Sequence, residues 1–364
     1  MPPATLFRYI SGRMLIAIFG LFAVLASLVL LVDLIENMRF ASKVADGGFG
    51  LALSMTLMRA PSLTQTLIPF VFLFGSIWMF YQLNKRSEIS VMRSAGLSVW
   101  RLLAPSALIA AVSGLLIITA LDPLSANLLS QAENLKTRKQ GADQNLVRIF
   151  GDGIWLRQKD DRSQLIINAR NYDDQRAALE GVKIWRFDSA SAFIERIDAK
   201  EAFLSGRTLE LHDAQIRTLD SERQTYTPIY AVRTPLTAAN LRERVAQPET
   251  ISLWDLPRFI ILAEAAGVPT ARYDIRFHDL CSTPLKLLAM VLIAAVFSMR
   301  PVRAGGALKL AVLSILTGFA LFILSEVSTA LGESSLAPAA LAAWIPAVVA
   351  SLGALTALLH MEDG

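Results

Sequence analysis

The chain has 364 residues, of which 54% are hydrophobic and 18% charged, with a mean hydropathy of +0.46. That balance is too apolar for an ordinary soluble protein of this length, and a net charge of only +4 gives no electrostatic reason to expect nucleic-acid binding. The single cysteine, Cys281, has no internal disulfide partner, and three histidines without a CxxC motif provide no metal-ligand spacing.

The apolar residues are concentrated at the two ends. Spanning a hydrocarbon core takes about 20 apolar residues, and six stretches qualify. Span one runs from about Met14 to Leu34. It is longer than the apolar core of a signal peptide and has no small-residue cleavage pattern before Asp33, so it is expected to stay attached. Span two is expected from Pro61 to Leu83, and span three from Leu102 to Leu121, stopping at Asp122-Pro123. Span four covers Leu280 to Met299, with Lys286 near its start. Span five runs from Ala307 to Ala330, and span six from Ala339 to Leu359 with Trp344 and Pro346 near its opening. Three regions follow: 1–121 with spans one to three, an extramembrane block 122–276, and 277–364 with spans four to six.

Lys and Arg in short loops favour the cytoplasmic side. With the N-terminus inside, the inner segments carry Arg8 and Arg13, then Lys85, Arg86, Arg93 and Arg101, then Arg300, Arg303 and Lys309. The outer loops carry Arg39, Lys43 and Arg59, and none between Gly332 and Pro338. Basic density is higher inside, so both termini are expected in the cytoplasm and the central block outside it.

That block changes texture along its length. Gln131 to Asn145 is polar and rich in helix formers, which predicts a helical extension of span three. From about Leu146 to about 245 short strand-like segments take over: Gly153–Arg157, Gln164–Asn168, Gly181–Phe187, Thr208–His212 and Tyr226–Val232. They are rich in Val, Ile, Trp and Tyr, alternate apolar with polar, and are separated by turn residues such as Asp160-Asp161 and Ser205-Gly206, the pattern of an antiparallel sandwich or roll. Beyond Ser252, Leu253, Leu256, Phe259, Ile260 and Ala263 recur at helical spacing and predict a short amphipathic helix leading into span four.

The stretch 84–98, between spans two and three, is the most chemically informative. Ser87 is positioned to cap a short helix, with Glu88 in the first turn, where the helix dipole favours an anion. Ile89 and Met92 are three apart and Val91 and Ala95 four apart, giving an apolar stripe, and Gly96 ends the segment. A helix resting on lipid headgroups explains this pattern, and so does a coupling helix gripped by a soluble motor through Glu88 and the apolar stripe. The chain has no GxxxxGK[ST] motif, so ATP hydrolysis would belong to another subunit.

Three spans, a strand-rich insert and three spans, with Arg86-Ser-Glu88 followed by Val91-Met-Arg-Ser-Ala-Gly96, resemble the LptF/LptG permeases of the Gram-negative lipopolysaccharide exporter. Gly267–Tyr273, Pro284-Leu285 and Leu341-Ala-Ala-Trp-Ile-Pro346 place the likeness nearer the LptG branch. The resemblance implies an α+β membrane protein of the inner membrane, with six transmembrane helices and an inserted periplasmic antiparallel β-jellyroll. It implies a non-enzymatic transport subunit without a cofactor of its own, ATP and Mg being held by the ATPase. The implied partners are an LptF-like sister permease, two LptB-like ATPase subunits, an LptC-like single-span protein, an LptA-like periplasmic bridge and lipopolysaccharide itself.

Within that family reading, Arg86, Glu88, Ile89, Met92 and Arg93 form the ATPase-coupling contact. Extraction of an anionic amphiphile calls for an apolar cavity with a basic rim. The candidates for the lipid headgroup are Arg39 at the outer end of span one and Lys136 and Arg138 beyond span three, with Glu133 one turn earlier as a departure from the family pattern. As ordinary flanking charges, these residues would simply snorkel to the interface. Asp33, Glu36 and Glu326 are expected at wet interfacial positions, and Lys286 either snorkels outward or faces the cavity. Two other classes compete. A mechanotransmitting ABC permease would move a periplasmic domain instead of lipid. An intramembrane enzyme would need a reactive cluster that His212, His278 and His360 do not form by spacing.

Overall fold

The apolar residues from Met14 to Val32 contain no turn signal and fold into one helix, α1 (Pro3–Ala41), which satisfies its backbone within the segment, as hydrocarbon requires. The computed structural model describes residues 3–44, 47–139, 145–150, 153–159, 163–173, 176, 178–188, 192–205, 208–218, 225–234, 247–299 and 306–363. They divide into two compact units, Met1–Leu129 with Asp274–Gly364, and Ser130–Tyr273.

In the first unit α2 (Phe49–Lys85) follows α1, then the short α3 (Glu88–Ser94) and α4 (Val99–Leu116). A π-helical turn, Ile117–Leu121, joins α4 to α5 (Asp122–Lys139), so the chain stays helical through Asp122-Pro123, where the span was expected to stop, and on into the helical extension expected from Gln131. A proline inside a helix lacks its N–H and crowds the preceding turn. Here the turn before Pro123 is widened, and the Asp122 N–H donates to the Ile117 carbonyl five residues back. After the sheet come α6 (Leu256–Ala265), α7 (Ala271–Ser298), α8 (Gly306–Glu333) and α9 (Ala339–Asp363). Among the described residues, six helical stretches are long and apolar enough to cross a membrane, in the expected three-plus-three arrangement around the inserted strands. Three begin well before their hydropathy predicts: α1 at Pro3 instead of Met14, α2 at Phe49 instead of Pro61, and α7 at Ala271 instead of Leu280.

Ile10, Met14 and Ile18 of α1, Leu73, Phe80 and Leu83 of α2, and Leu287, Val291 and Ala294 of α7 meet in one buried cluster. Small residues allow two close approaches, the usual basis of helix packing in lipid. A Cβ on Gly75 would stand 3.4 Å from the Ile18 backbone, and one on Gly114 of α4 would lie 2.9 Å from the Pro284 Cβ of α7. By contrast, only 11% of the most apolar stretch of α1 and 17% of that of α8 is covered by the chain itself.

The second unit is built on one antiparallel sheet of β1 (Asn145–Phe150), β2 (Gly153–Lys159), β3 (Ser163–Ala169), β4 (Asn171–Asp173), β5 (Ala178–Asp188), β6 (Phe193–Ser205), β7 (Thr208–Thr218) and β8 (Thr225–Arg233). Successive strands pair in the order β1-β2-β3-β5-β6-β7-β8, with β4 continuing beside β5. All five strands expected from the sequence are present; β6, the longest of the sheet, was not among them. The turns at Asp160-Asp161 and Gly206, and the expected end of the strand block near 245, lie outside the described residues.

Strand alternation sends Leu156, Ile167, Ile184, Ile197 and Leu211 into the sheet core, each fully burying side chain contributing roughly 1.5–3 kcal/mol. On the opposite face Trp155 stacks on Trp185 at 5.6 Å, and the Arg196 guanidinium lies over Trp185. The amphipathic helix expected after Ser252 is α6, which closes the core with Phe259, Ala263 and Ala266. The Tyr172 N–H donates to the Ala266 carbonyl at 3.0 Å. Gly267, at φ 70°, completes the turn in the left-handed region; a side chain there would collide with Asn171.

Candidate functional site

The short helix α3 lies between two membrane-length helices and is bounded by two backbone turns. Ser87 does not cap it. The residue takes a left-handed φ of 57° and its hydroxyl accepts nothing from the helix, because the chain reverses there instead of entering in an extended conformation. The other end follows expectation. Gly96, at φ 82°, donates to the Arg93 carbonyl at 2.9 Å and Leu97 to the Met92 carbonyl at 3.2 Å, the paired bonds of a Schellman stop. Ser98 then caps α4, its hydroxyl accepting from the Arg101 N–H.

One turn therefore holds Arg86, Glu88, Ile89, Met92 and Arg93, but they point different ways. Ile89 is buried and Met92 packs partly against the same core, whereas Val91 is 65% exposed, with Arg86, Arg93 and Ala95 also outward. The apolar stripe read from the sequence thus splits: Ile89 and Met92 anchor the helix, and Val91 and Ala95 lie on its free face. Behind it, the Asn84 side-chain amide donates to the Ser298 carbonyl at 3.0 Å, tying the end of α2 to the last turn of α7.

Glu88 is engaged within the chain. The Tyr9 hydroxyl donates to its Oε2 at 2.7 Å, and the Arg13 guanidinium lies 3.6 Å from its Oε1. Arg13 also sits over the Tyr9 ring, 4.8 Å from its centroid. At this end of α1 a groove of about 930 Å³ opens between α1 and α2, lined by Gly20, Val24 and Trp78, with Arg13 and Arg86 at its polar end and Ile315 of α8 beside it.

The three residues proposed for the headgroup fall in two different units. Arg39 is exposed in the last turn of α1, where the helix dipole favours a cation. At 1.5 Å per residue it stands about 39 Å along the helix from Arg13, far from the groove. Lys136, half-buried, and Arg138, exposed, occupy the last turn of α5 and belong to the other unit.

Near the Arg39 end, α1 and α2 share a polar cluster that sequence reading missed. Asp33, expected at a wet interface, is buried; Arg59 pairs with it at 3.0 Å, and the Asn37 amide donates to it at 2.7 Å and to the Thr56 hydroxyl at 2.9 Å. Arg59 is a helix residue, not part of a loop. Asp122, fully buried, accepts from Arg276 of α7 at 3.0 Å, and Lys286 pairs with Asp279 inside α7 instead of reaching outward. Glu36 and Glu326 are exposed. Arg300 and Arg303 lie outside the described residues.

Two comparisons bear on this arrangement. The model of the family described as "Lipopolysaccharide export system permease LptF/LptG" matches residues 8–360. The chain is also 25% identical over 365 residues to the lipopolysaccharide export system permease protein LptG of Haemophilus influenzae, covering 95% of each.

Proposed function

The chain belongs to the LptF/LptG family of lipopolysaccharide export system permeases, and from that premise we propose that it is the LptG-like membrane subunit of an ABC-type exporter in the inner membrane of a Gram-negative bacterium. It works beside an LptF-like sister, two LptB-like ATPase subunits and an LptC-like single-span protein. Lipopolysaccharide is drawn from the periplasmic leaflet and handed to the antiparallel sheet domain, which continues into an LptA-like bridge. Both termini and α3 lie in the cytoplasm, and the sheet domain lies in the periplasm.

The observation that carries this reading is the placement of α3. A helix of seven residues between two membrane-length helices presents Arg86, Val91 and Arg93 outward while Ile89 anchors it in the core. That is the form of a handle: short, exposed on one side, and fixed on the other. The largely uncovered apolar faces of α1 and α8 support a sister permease and acyl chains as their covering. Arg39, Lys136 and Arg138 supply guanidinium and ammonium groups suited to lipid phosphates. An open sheet edge is a natural place for the next strand of a bridge.

Glu88→Lys tests the handle. Its purified complex should retain less ATPase and release less lipopolysaccharide than the parent, with the lipid measured in the same preparation. Unchanged ATPase retention and unchanged lipid release would remove α3 from the coupling path.

A further inference from the structure

The helices that flank α3 in sequence are α2 and α4, yet the side chain central to the coupling proposal is fastened to neither. Glu88 is held by Tyr9 and Arg13, on α1, the first of them 79 residues away in the chain. Tyr9 and Arg13 are one helical turn apart and so share a face. The Tyr9 hydroxyl, the Arg13 guanidinium and the Glu88 carboxylate then close a ring of three contacts: a 2.7 Å hydrogen bond, a 3.6 Å ion pair and a guanidinium 4.8 Å above the phenol ring. Ile10 and Met14, each next to one of the clasp residues, are buried in the core, which fixes the rotation of α1 so that this face meets α3.

Besides the packing of Ile89 and Met92 against the core, movement of α3 has two routes into the chain. The backbone route passes through the turns at Ser87 and Gly96, both left-handed, where the chain reverses direction and no side chain stiffens the Ser87 end. The other route is the clasp. Its receiving helix is also the one whose most apolar stretch is least covered by the rest of the chain, 11% against 61% for α7.

We propose that Tyr9 and Arg13 are positioning residues that fasten α3 to α1, making α1 the helix displaced when a motor moves α3. This rests on the coupling role assigned to Glu88 above. Glu88 keeps 25% of its side chain exposed, so the clasp and an outside contact share it.

The experiment compares three forms of the assembled exporter in proteoliposomes carrying lipopolysaccharide: the parent, Tyr9→Phe with Arg13→Gln, and Arg13→Lys alone. Copurified ATPase, ATP hydrolysis and lipid released per ATP are measured for each. Loss of the charge-assisted contacts should lower lipid released per ATP by roughly three- to tenfold while copurification and hydrolysis persist. Arg13→Lys, which keeps the charge, should stay close to the parent. Unchanged lipid per ATP in the double variant overturns the clasp, and so does a parallel loss of ATPase copurification, which would make the contacts purely architectural. Glu88→Lys run alongside separates the two ideas: if it is impaired while the double variant is normal, α3 couples by another route. If Glu88→Lys is itself normal, the coupling role falls.

Discussion

Asp33 of α1 and Arg59 of α2 meet at 3.0 Å with only 6% of the Asp33 side chain exposed. Asn37, one turn further along α1, donates to the same carboxylate and to Thr56 of α2, so two apolar helices are joined by a compact polar cluster. Ionisable groups on membrane-length helices are costly unless paired. The pair neutralises Arg59 across the helix interface, so its charge does not interrupt α2.

Removing one member should be worse than removing both charges. Arg59→Met leaves a buried carboxylate and is expected to cost about 3–5 kcal/mol. Adding Asp33→Asn removes the charge while keeping an oxygen for Asn37, and should restore much of the loss. Thermal unfolding of the detergent-purified protein measures both. Equal midpoints for the single and double variants would show that the ion pair does not govern this interface.

The approach of α4 to α7 makes a second prediction. A Cβ on Gly114 would run into the Pro284 Cα and Cβ, on a helix backbone, whereas a Cβ on Gly318 would meet the methyl end of the Leu73 side chain, which shifts more readily than a backbone. Gly114→Ala should therefore destabilise by about 1–3 kcal/mol or more, and Gly318→Ala by less. Thermal midpoints taken side by side decide it. The opposite order would mean that the two helices separate easily at Gly114.

The parts legible in the sequence are those whose signals are local. Runs of apolar residues located six helices, period-two alternation located five strands, and Gly96 marked the end of α3 through its need for a left-handed φ. The parts that escaped depend on partners distant in the chain. Hydropathy counts Arg59, Asp122 and Arg276 as interruptions, but each is paired across helices, so α2, α5 and α7 run through them. β6 was hidden in the same way. Its Glu195, Arg196 and Asp198 make it look like a solvated segment, while Arg186–Glu195 at 2.7 Å and Arg196–Asp198 at 2.8 Å neutralise them within the sheet. At the candidate site, Glu88 was visible as a lone acid among basic residues, but nothing near it in sequence announced Tyr9 and Arg13 as its partners.

A pH signature is expected in the sheet domain. On β8 the Tyr226 hydroxyl donates to the Asp213 carboxylate of β7 at 2.6 Å, and that hydrogen bond, reinforced by the nearby negative charge, pushes the phenol above its ordinary value of about 10. A raised phenol favours the fold while it stays protonated. The stabilisation is complete below the unfolded value of about 10 and is lost as pH rises through the higher folded value. Asp213 takes a φ of 56° within β7, a conformation that asparagine tolerates, so Asp213→Asn should keep the strand backbone while removing the charge. The difference in phenolate absorbance between parent and Tyr226→Phe isolates this one tyrosine. Its midpoint should fall toward about 10 in the Asp213→Asn background, and the share of the alkaline loss of thermal stability that this tyrosine carries should disappear. A midpoint that ignores Asp213→Asn would mean that the carboxylate does not hold the phenol in solution.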